Sequence, residues 1–176
     1  MIILKTKRLQ LRRMTLDDAD FIIKLLNSPK WIRFIGKRAV ETLDQAREYL
    51  LKRVLPNYDS LGFGFYIIEK KSDLSRVGNC GLTLRTGMEH ADIGYSLLPQ
   101  YEGKGYAFEA AEAILKYGFE IHMLEHIEAI VTHDNEASIH LLKKLGMKYK
   151  SKIMLPDDDE ELMLFGIDAP EKEKKT

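Results

Sequence analysis

The chain has one cysteine, one tryptophan and five prolines in 176 residues, and these scarcities close off several architectures before any pattern is read. Cys80 alone cannot build an intramolecular disulfide framework or a multi-cysteine zinc site, and it suits a reducing compartment. No stretch stays apolar for the roughly 20 residues that a membrane helix needs. The opening Met1-Ile2-Ile3-Leu4-Lys5-Thr6-Lys7-Arg8 turns charged too early for a signal peptide. A cytoplasmic location with no membrane partner is therefore expected. Neither charge sign is in excess, with 27 acidic and 27 basic side chains. A phosphate-backbone footprint is absent, and nucleic acid is not an expected partner. With no internal repeat and no linker, residues 1–168 read as one domain and residues 169–176 as a charged, disordered tail.

What is present is a regular alternation of strand and helix signals. Arg8 to Arg13 alternates polar with apolar residues, the period of a strand with one buried face. Thr15 and Asp18 resemble a helix start, and Ala19 to Leu26 recur at helical spacing until Asn27-Ser28-Pro29. Thr42 caps a second predicted helix that runs to Pro56, and Lys30 to Gly36 between them reads as an aromatic and basic loop. Phe63–Glu69, Val77–Leu84 and Ala91–Leu98 read as an antiparallel meander. Ala107 to Gly118 carries the apolar stripe of a third helix, Ile127–Thr132 a fifth strand, and Asn135 caps a fourth helix closed by Gly146. A final strand pair, Met147–Met154 and Leu162–Ile167, is joined by the acidic turn Pro156-Asp157-Asp158-Asp159. The order β-α-α-β-β-β-α-β-α-β-β predicts an α+β (mixed α/β) fold with seven strands and about four helices.

One segment carries chemistry. A strand that delivers Gln100-x-x-Gly103-x-Gly105 directly into a helix gives close backbone approach, successive N–H groups aimed at an anion and a favourable helix dipole. It suits a diphosphate, with Lys104 as a rim cation, although an ordinary strand-to-helix turn has the same residues. Rival phosphate motifs fail on spacing. Phe108 stands where a dinucleotide fingerprint needs its third glycine, and no Gly-x4-Gly-Lys-Ser/Thr exists.

These residues resemble the GNAT superfamily of N-acetyltransferases, and within it the branch that acetylates N-terminal amines of ribosomal proteins. The resemblance spans about residues 7–167. It is carried by Asp92 to Pro99 leading into Gln100-x-x-Gly103-x-Gly105-Tyr106-Ala107, by Asn135-x-x-Ser138, by Leu145-Gly146-Met147 and by the opening Thr6 to Arg12. It implies a mostly antiparallel sheet, splayed between strands four and five, with a bulge in strand four. It also implies acetyl-CoA as cosubstrate, no metal, and a small amine or protein N-terminus as acceptor, in a monomer or homodimer. By the same resemblance Gly103 to Ala107, including Lys104, Gly105 and Tyr106, with Gln100, hold the pyrophosphate. Leu97 and Leu98 meet the pantetheine arm and align an N–H on the thioester oxygen. Asn135 lies near the arm, or is a plain helix cap.

Acyl transfer to an amine needs a base, an oxyanion donor and help for the departing thiolate. Asp92 and Glu109 are the candidate bases, either of which could instead be a surface or capping charge. Asp92 stands where relatives carry a glutamate, so its shorter arm favours a water relay. Ser138, at the third helical position after Asn135, could donate to the leaving sulfur or bond backbone. Many relatives place a tyrosine acid where this chain has Leu142, which keeps a non-catalytic CoA-binding module open as an alternative. Trp31, Arg33 and Phe34, with Tyr58 and Asp59, are the candidate acceptor site or a lid over the core. Tyr95 reads as a packing residue. His122-Met123-Leu124-Glu125-His126 matches a zinc-peptidase pattern, but it falls at a helix end, where its histidines need not share a face. Cys80, between Gly78 and Gly81, reads as a small core residue rather than a nucleophile.

Overall fold

The alternation of Leu9 and Leu11 builds the strand the pattern predicts, and a computed structural model, which describes residues 1–156 and 158–171, gives it an additional neighbour. Among the described residues the strands are β1 (Ile2–Lys5), β2 (Leu9–Arg13), β3 (Phe65–Lys70), β4 (Arg76–Thr83), β5 (Asp92–Leu97), β6 (His126–Val131), β7 (Lys148–Met154) and β8 (Glu161–Asp168). They form one eight-stranded sheet in the order β1-β2-β3-β4-β5-β6-β8-β7. Every neighbouring pair is antiparallel except β5 and β6, which are parallel. The mixed α+β fold is as expected, with β1 as the eighth strand. β1 is short and half-exposed, so it shows no clean alternation. The fourth and fifth predicted strands are therefore β5 and β6.

Helices α1 (Ala19–Leu26), α2 (Pro29–Phe34), α3 (Leu43–Tyr49), α4 (Leu55–Ser60), α5 (Tyr106–Glu120) and α6 (Glu136–Lys144) complete the fold. Two sequence expectations change here. Lys30 to Phe34 is helix α2 instead of a loop, because Pro29 ends nothing further and occupies a first-turn position where its missing N–H costs no bond. The second predicted helix is α3, a π-helical turn at Leu50–Val54 and α4, and Pro56 lies in the first turn of α4 without stopping it. Its start is as predicted. Thr42 Oγ1 accepts from the Gln45 N–H at 3.2 Å while Gln45 Oε1 accepts from the Thr42 N–H at 3.1 Å. The acidic turn contains Asp157, and the tail contains residues 172–176; these lie outside the described residues.

Register divides the sheet into two faces. Leu9, Leu11, Tyr66, Ile68, Cys80 and Leu82 share one, where α5 packs with Tyr117 edge-on to Tyr66. Arg12, Ile67, Asn79, Asp92, Gly94 and Ser96 share the other. Cys80 is fully buried and burial pushes its thiol far up, which agrees with a core residue. Tyr58 is buried in α4. It accepts from the Met14 N–H at 3.0 Å and donates to the Phe65 C=O, so it serves as a strut, not as part of an acceptor loop.

At the start of α1, Asp18 is 2 % exposed. Its two oxygens take a bidentate bond from Arg12 at 2.8 Å each, and Arg76 adds a third contact at 3.3 Å. Burial pushes this carboxyl up, but bonds from Arg12 and the Thr15 N–H outweigh it and hold the carboxyl below its usual range. A depressed carboxyl stabilises the fold above its ordinary titration and loses that contribution as pH falls through it. Asp18→Asn should therefore cost about 2 kcal/mol at pH 7, because it removes the charge-assisted bonds from Arg12 and Arg76 while Arg12 keeps Glu69 at 2.6 Å. It should also flatten the loss of stability below about pH 4, measured by urea unfolding across pH; an unchanged midpoint at pH 7 would contradict the assignment.

Candidate functional site

The site begins where a parallel strand pair fails to stay paired. The Leu98 N–H donates to the Val77 C=O at 2.9 Å, and the β4–β5 register runs unbroken from Gly78 and Leu97 to Thr83 and Asp92. Strict alternation then turns the main-chain groups of Asp92, Gly94 and Ser96 toward β4 and those of Ile93, Tyr95 and Leu97 toward β6. On β6, the bond from the Ala169 N–H to the Glu125 C=O, at 2.8 Å, sets the same alternation with β8. It turns Glu128 and Ile130 toward β5. The two strands meet at Asp92 and Glu128, where the Glu128 N–H reaches the Ala91 C=O at 2.9 Å. Beyond that point they separate, and the main-chain groups of Tyr95, Leu97 and Ile130 face the gap. The expected splay is present. The expected bulge in β5 is not, because the strand keeps its register with β4 throughout.

The gap opens into a cleft of about 880 Å³ that reaches from Asp92 and Arg85 at one end to Gly103 and Ala107 at the other. At the second end Gly103 (φ 69°) and Gly105 (φ 80°) are both left-handed, a conformation that favours glycine. Gly105 is the cap of the fifteen-residue α5 and has no side chain to bond the first-turn N–H groups, which stay open at the positive end of the helix dipole. Open amides at a helix start suit a diphosphate, and unpaired strand edges suit an extended, amide-bearing arm. Lys104 Nζ donates to the Gln100 C=O at 2.9 Å at the rim. Tyr106 lies under the Arg8 guanidinium, 4.6 Å from its ring centre.

Arg8 is a residue that spacing could not find. Its Nη1 donates to the Lys104 C=O at 2.9 Å, and it reaches the glycine segment from a position 96 residues away in sequence. Its presence in the opening Thr6 to Arg12 was the signal, but only the fold says what it touches. Glu109 is taken up by the same contact. One of its oxygens accepts from Thr6 Oγ1 at 2.6 Å and the Arg8 N–H at 2.7 Å, the other from Arg8 Nε at 2.7 Å. Burial raises the Glu109 carboxyl, yet these bonds hold it below its usual range. A depressed, fully bonded carboxylate outside the cleft lining is a clamp for the N-terminal segment and a poor base.

Asp92 is different. It is 1 % exposed and lines the cleft, with Arg85 Nε at 2.9 Å. Burial pushes its carboxyl up against the pull of Arg85, and neighbouring Glu128 pushes it further. On the other sheet face, Tyr95 does more than pack. Its hydroxyl lies 2.7 Å from Ser138 Oγ, and both side chains line the cleft. Asn135 Oδ1 accepts from the Ser138 N–H at 3.2 Å, so the helix-cap alternative holds while the residue still borders the cleft. Leu97 lines the cleft. Leu98 does not, being 8 % exposed with its N–H spent on Val77.

Trp31, Arg33 and Phe34 sit on α2, which crosses the mouth. Lys30 Nζ meets Glu102 Oε2 at 2.5 Å beside the glycines, and Arg33 Nη2 meets Asp134 Oδ2 at 3.1 Å beside α6. Exposed pairs of this kind contribute at most about 1 kcal/mol each, so α2 is a light bar across the opening. The zinc-peptidase pattern dissolves in three dimensions. His122 packs among Phe63 and Tyr117, whereas His126 bonds Asp168 at 2.5 Å and Lys150 at 2.8 Å. No group of potential metal ligands forms among the described residues.

A family model described as the acetyltransferase (GNAT) domain matches residues 8–148. The uncharacterised N-acetyltransferase p20 of Bacillus licheniformis is 33 % identical, over 82 % of each chain. The spermidine N(1)-acetyltransferase of Escherichia coli strain K12 is 36 % identical over a shorter stretch, 36 % of this chain and 34 % of that protein. The ribosomal-protein-S5-alanine acetyltransferase of Vibrio fischeri has the same fold, with a TM-score of 0.79 at 19 % identity, over 96 % of this chain and 97 % of that one.

The Arg85–Asp92 pair yields a prediction that does not depend on any ligand. Arg85→Gln leaves a buried carboxylate beside Glu128 and should cost about 3–5 kcal/mol at pH 7. A carboxyl whose folded value is raised destabilises the fold as pH rises past its ordinary range, so the deficit should grow from acid to neutral pH. Asp92→Asn in the same background should restore most of the loss in chemical denaturation; no restoration would show that Arg85 acts through other contacts.

Proposed function

The chain belongs to the acetyltransferase (GNAT) family, and from that premise we propose that it transfers an acetyl group from acetyl-CoA directly to a primary amine in a ternary complex. The observation that carries this reading is the strand gap leading straight to the uncapped start of α5. The family uses acetyl-CoA as cosubstrate, and its members act on amine acceptors. Acetyl-CoA supplies the acyl group already activated as a thioester.

In this proposal the N–H groups at Gly103 to Ala107 hold the pyrophosphate, with Arg8 and Lys104 adding positive charge at the rim. The main-chain groups of Leu97 and Ile130 pair with the amides of the pantetheine arm, and the Tyr95 N–H, nearer Asp92, donates to the thioester oxygen as it gains charge. Asp92, raised by burial, is poised to take a proton from the acceptor ammonium, directly or through water. Ser138 gives its proton to the departing sulfur. Tyr95 donates to Ser138 Oγ, which leaves the serine proton free to point into the cleft and supplies the acid that the leucine at 142 cannot. The amine nitrogen attacks the thioester carbon, the carbon–sulfur bond breaks, the thiol leaves with the serine's proton, and the second proton that the nitrogen sheds as it becomes an amide restores the serine hydroxyl through water. A peptide N-terminus and a small amine both fit this chemistry.

Calorimetry with acetyl-CoA and thiol release with amine acceptors test the assignment separately. Gly105→Glu, which places a carboxylate at the cradle, should weaken acetyl-CoA binding by at least about 100-fold; unchanged affinity would refute the cradle. Ser138→Ala should leave that affinity intact and lower kcat by about 100-fold, and Tyr95→Phe should lower it by less. Full activity in both variants would remove the serine and tyrosine from the chemistry.

A further inference from the structure

Two polar groups in the cleft are buried and unsatisfied, and the acetyl-transfer steps use neither of them. Asn79 is 5 % exposed and its Oδ1 has no hydrogen-bond partner; Trp31 is 8 % exposed and its Nε1–H has none. Both side chains line the cleft. One is an acceptor and the other a donor, and each costs free energy until a partner arrives.

Strand register and α2 bring them to one end of the cleft. Asn79 stands opposite Ser96, next to the end of β5, four residues and about 13 Å along the strand from Asp92. Trp31 lies between Lys30, which holds Glu102 after the end of β5, and Arg33, which holds Asp134 after the end of β6. The helix thus crosses the ends of both strands, and its buried indole enters the cleft at the Ser96 end, away from Asp92. In the proposed chemistry the reacting nitrogen lies between Asp92, which takes its proton, and the Tyr95 N–H, which holds the thioester oxygen. Asn79 is therefore beyond that nitrogen, within reach of about the first three or four residues of an extended chain.

Charge on the cleft wall does not choose the ligand. Arg38 and Arg53 line it, and so do Asp158 and Glu160, so neither a polyanion nor a polycation meets a field of one sign. The choice falls to the neutral groups. A polyamine could donate to Asn79 but would leave the Trp31 N–H facing a cation, and an alkyl chain would leave both groups unpaired. An amide supplies both halves, a C=O for the indole and an N–H for Asn79 Oδ1. The Asn79 carboxamide itself carries the planar donor and acceptor pair that matches such a group. A site built for these bonds rejects analogues that lack them, because its own buried groups then stay open.

We propose that Asn79 and Trp31 are specificity-determining residues that hold amide groups of the acceptor on the Ser96 side of the reacting nitrogen. This rests on the acetyl-transfer reading and narrows its acceptor to an amine with an amide within reach, in a peptide or in a small carboxamide.

Thiol release from acetyl-CoA is measured with alanyl peptide amides of one to four residues, ω-aminohexanamide, ω-aminohexanol, hexylamine and spermidine, for the native chain and for Asn79→Leu and Trp31→Phe. Calorimetry with acetyl-CoA and thermal unfolding accompany each. The expected result is a kcat/KM at least about tenfold higher for the best amide than for hexylamine, and a loss of at least about fivefold in that ratio, carried by KM, in each variant. Asn79→Leu exchanges an unpaired polar group for an apolar one of similar shape, so its thermal midpoint should hold or rise. A preference that grows with peptide length supports the proposal with a peptide as the source, and a preference for ω-aminohexanamide supports it with a small molecule. Hexylamine, ω-aminohexanol or spermidine used as well as the best amide overturns the inference, as does an unchanged ratio in both variants. A lowered midpoint in Asn79→Leu with an equal loss for all acceptors also overturns it, because Asn79 would then serve the fold. Weakened acetyl-CoA binding in the variants overturns it too, since the two groups would then serve the donor. Intact acetyl-CoA binding with no release to any of these amines overturns the acceptor class alone, whereas absence of acetyl-CoA binding by the native chain overturns the donor reading beneath it.

Discussion

A single parallel bridge, between Asp92 and Glu128, holds the two halves of the sheet together. Everything that resembles a site follows from its being single. Were the strands to stay paired, Tyr95, Leu97 and Ile130 would spend their main-chain groups on each other and the sheet would close. Because they part, polar edges are exposed within the fold, an arrangement tolerable only if water or a ligand satisfies them. The bridge is also where two carboxylates are buried side by side, 1 % and 6 % exposed. Arg85 bonds one of them, and its charge makes that pair of acids compatible with burial.

The two sheet faces divide the labour of the cleft. Tyr95 and Ser138 meet on the face covered by α5, while Asp92 and Asn79 belong to the other. A group bound along the strand edges is thus approached from opposite sides by a hydroxyl pair and by a carboxylate. Acyl transfer to an amine needs this separation, since the proton is taken from the nucleophile on one side and given to the leaving group on the other. The N-terminal segment contributes at a distance. Thr6 and Arg8, bonded to Glu109, tie β1 and β2 to the first turn of α5 and place a cation beside the glycines.

Local chemistry was readable where it is local. Thr42 and Asn135 announce helix starts because their caps are made within three residues, and Gly103 and Gly105 announce a left-handed path because only backbone conformation is at stake. The splay and the residues around it were legible through their resemblance to a family, not through periodicity. What stayed hidden was decided by contacts far apart in sequence. Glu109 looks like any first-turn acid until residues 101 and more positions away occupy both its oxygens. Tyr95 looks like packing until Ser138, 43 residues on, meets its hydroxyl. Lys30 to Phe34 looked like a loop because a six-residue helix begun by proline is too short to show a period.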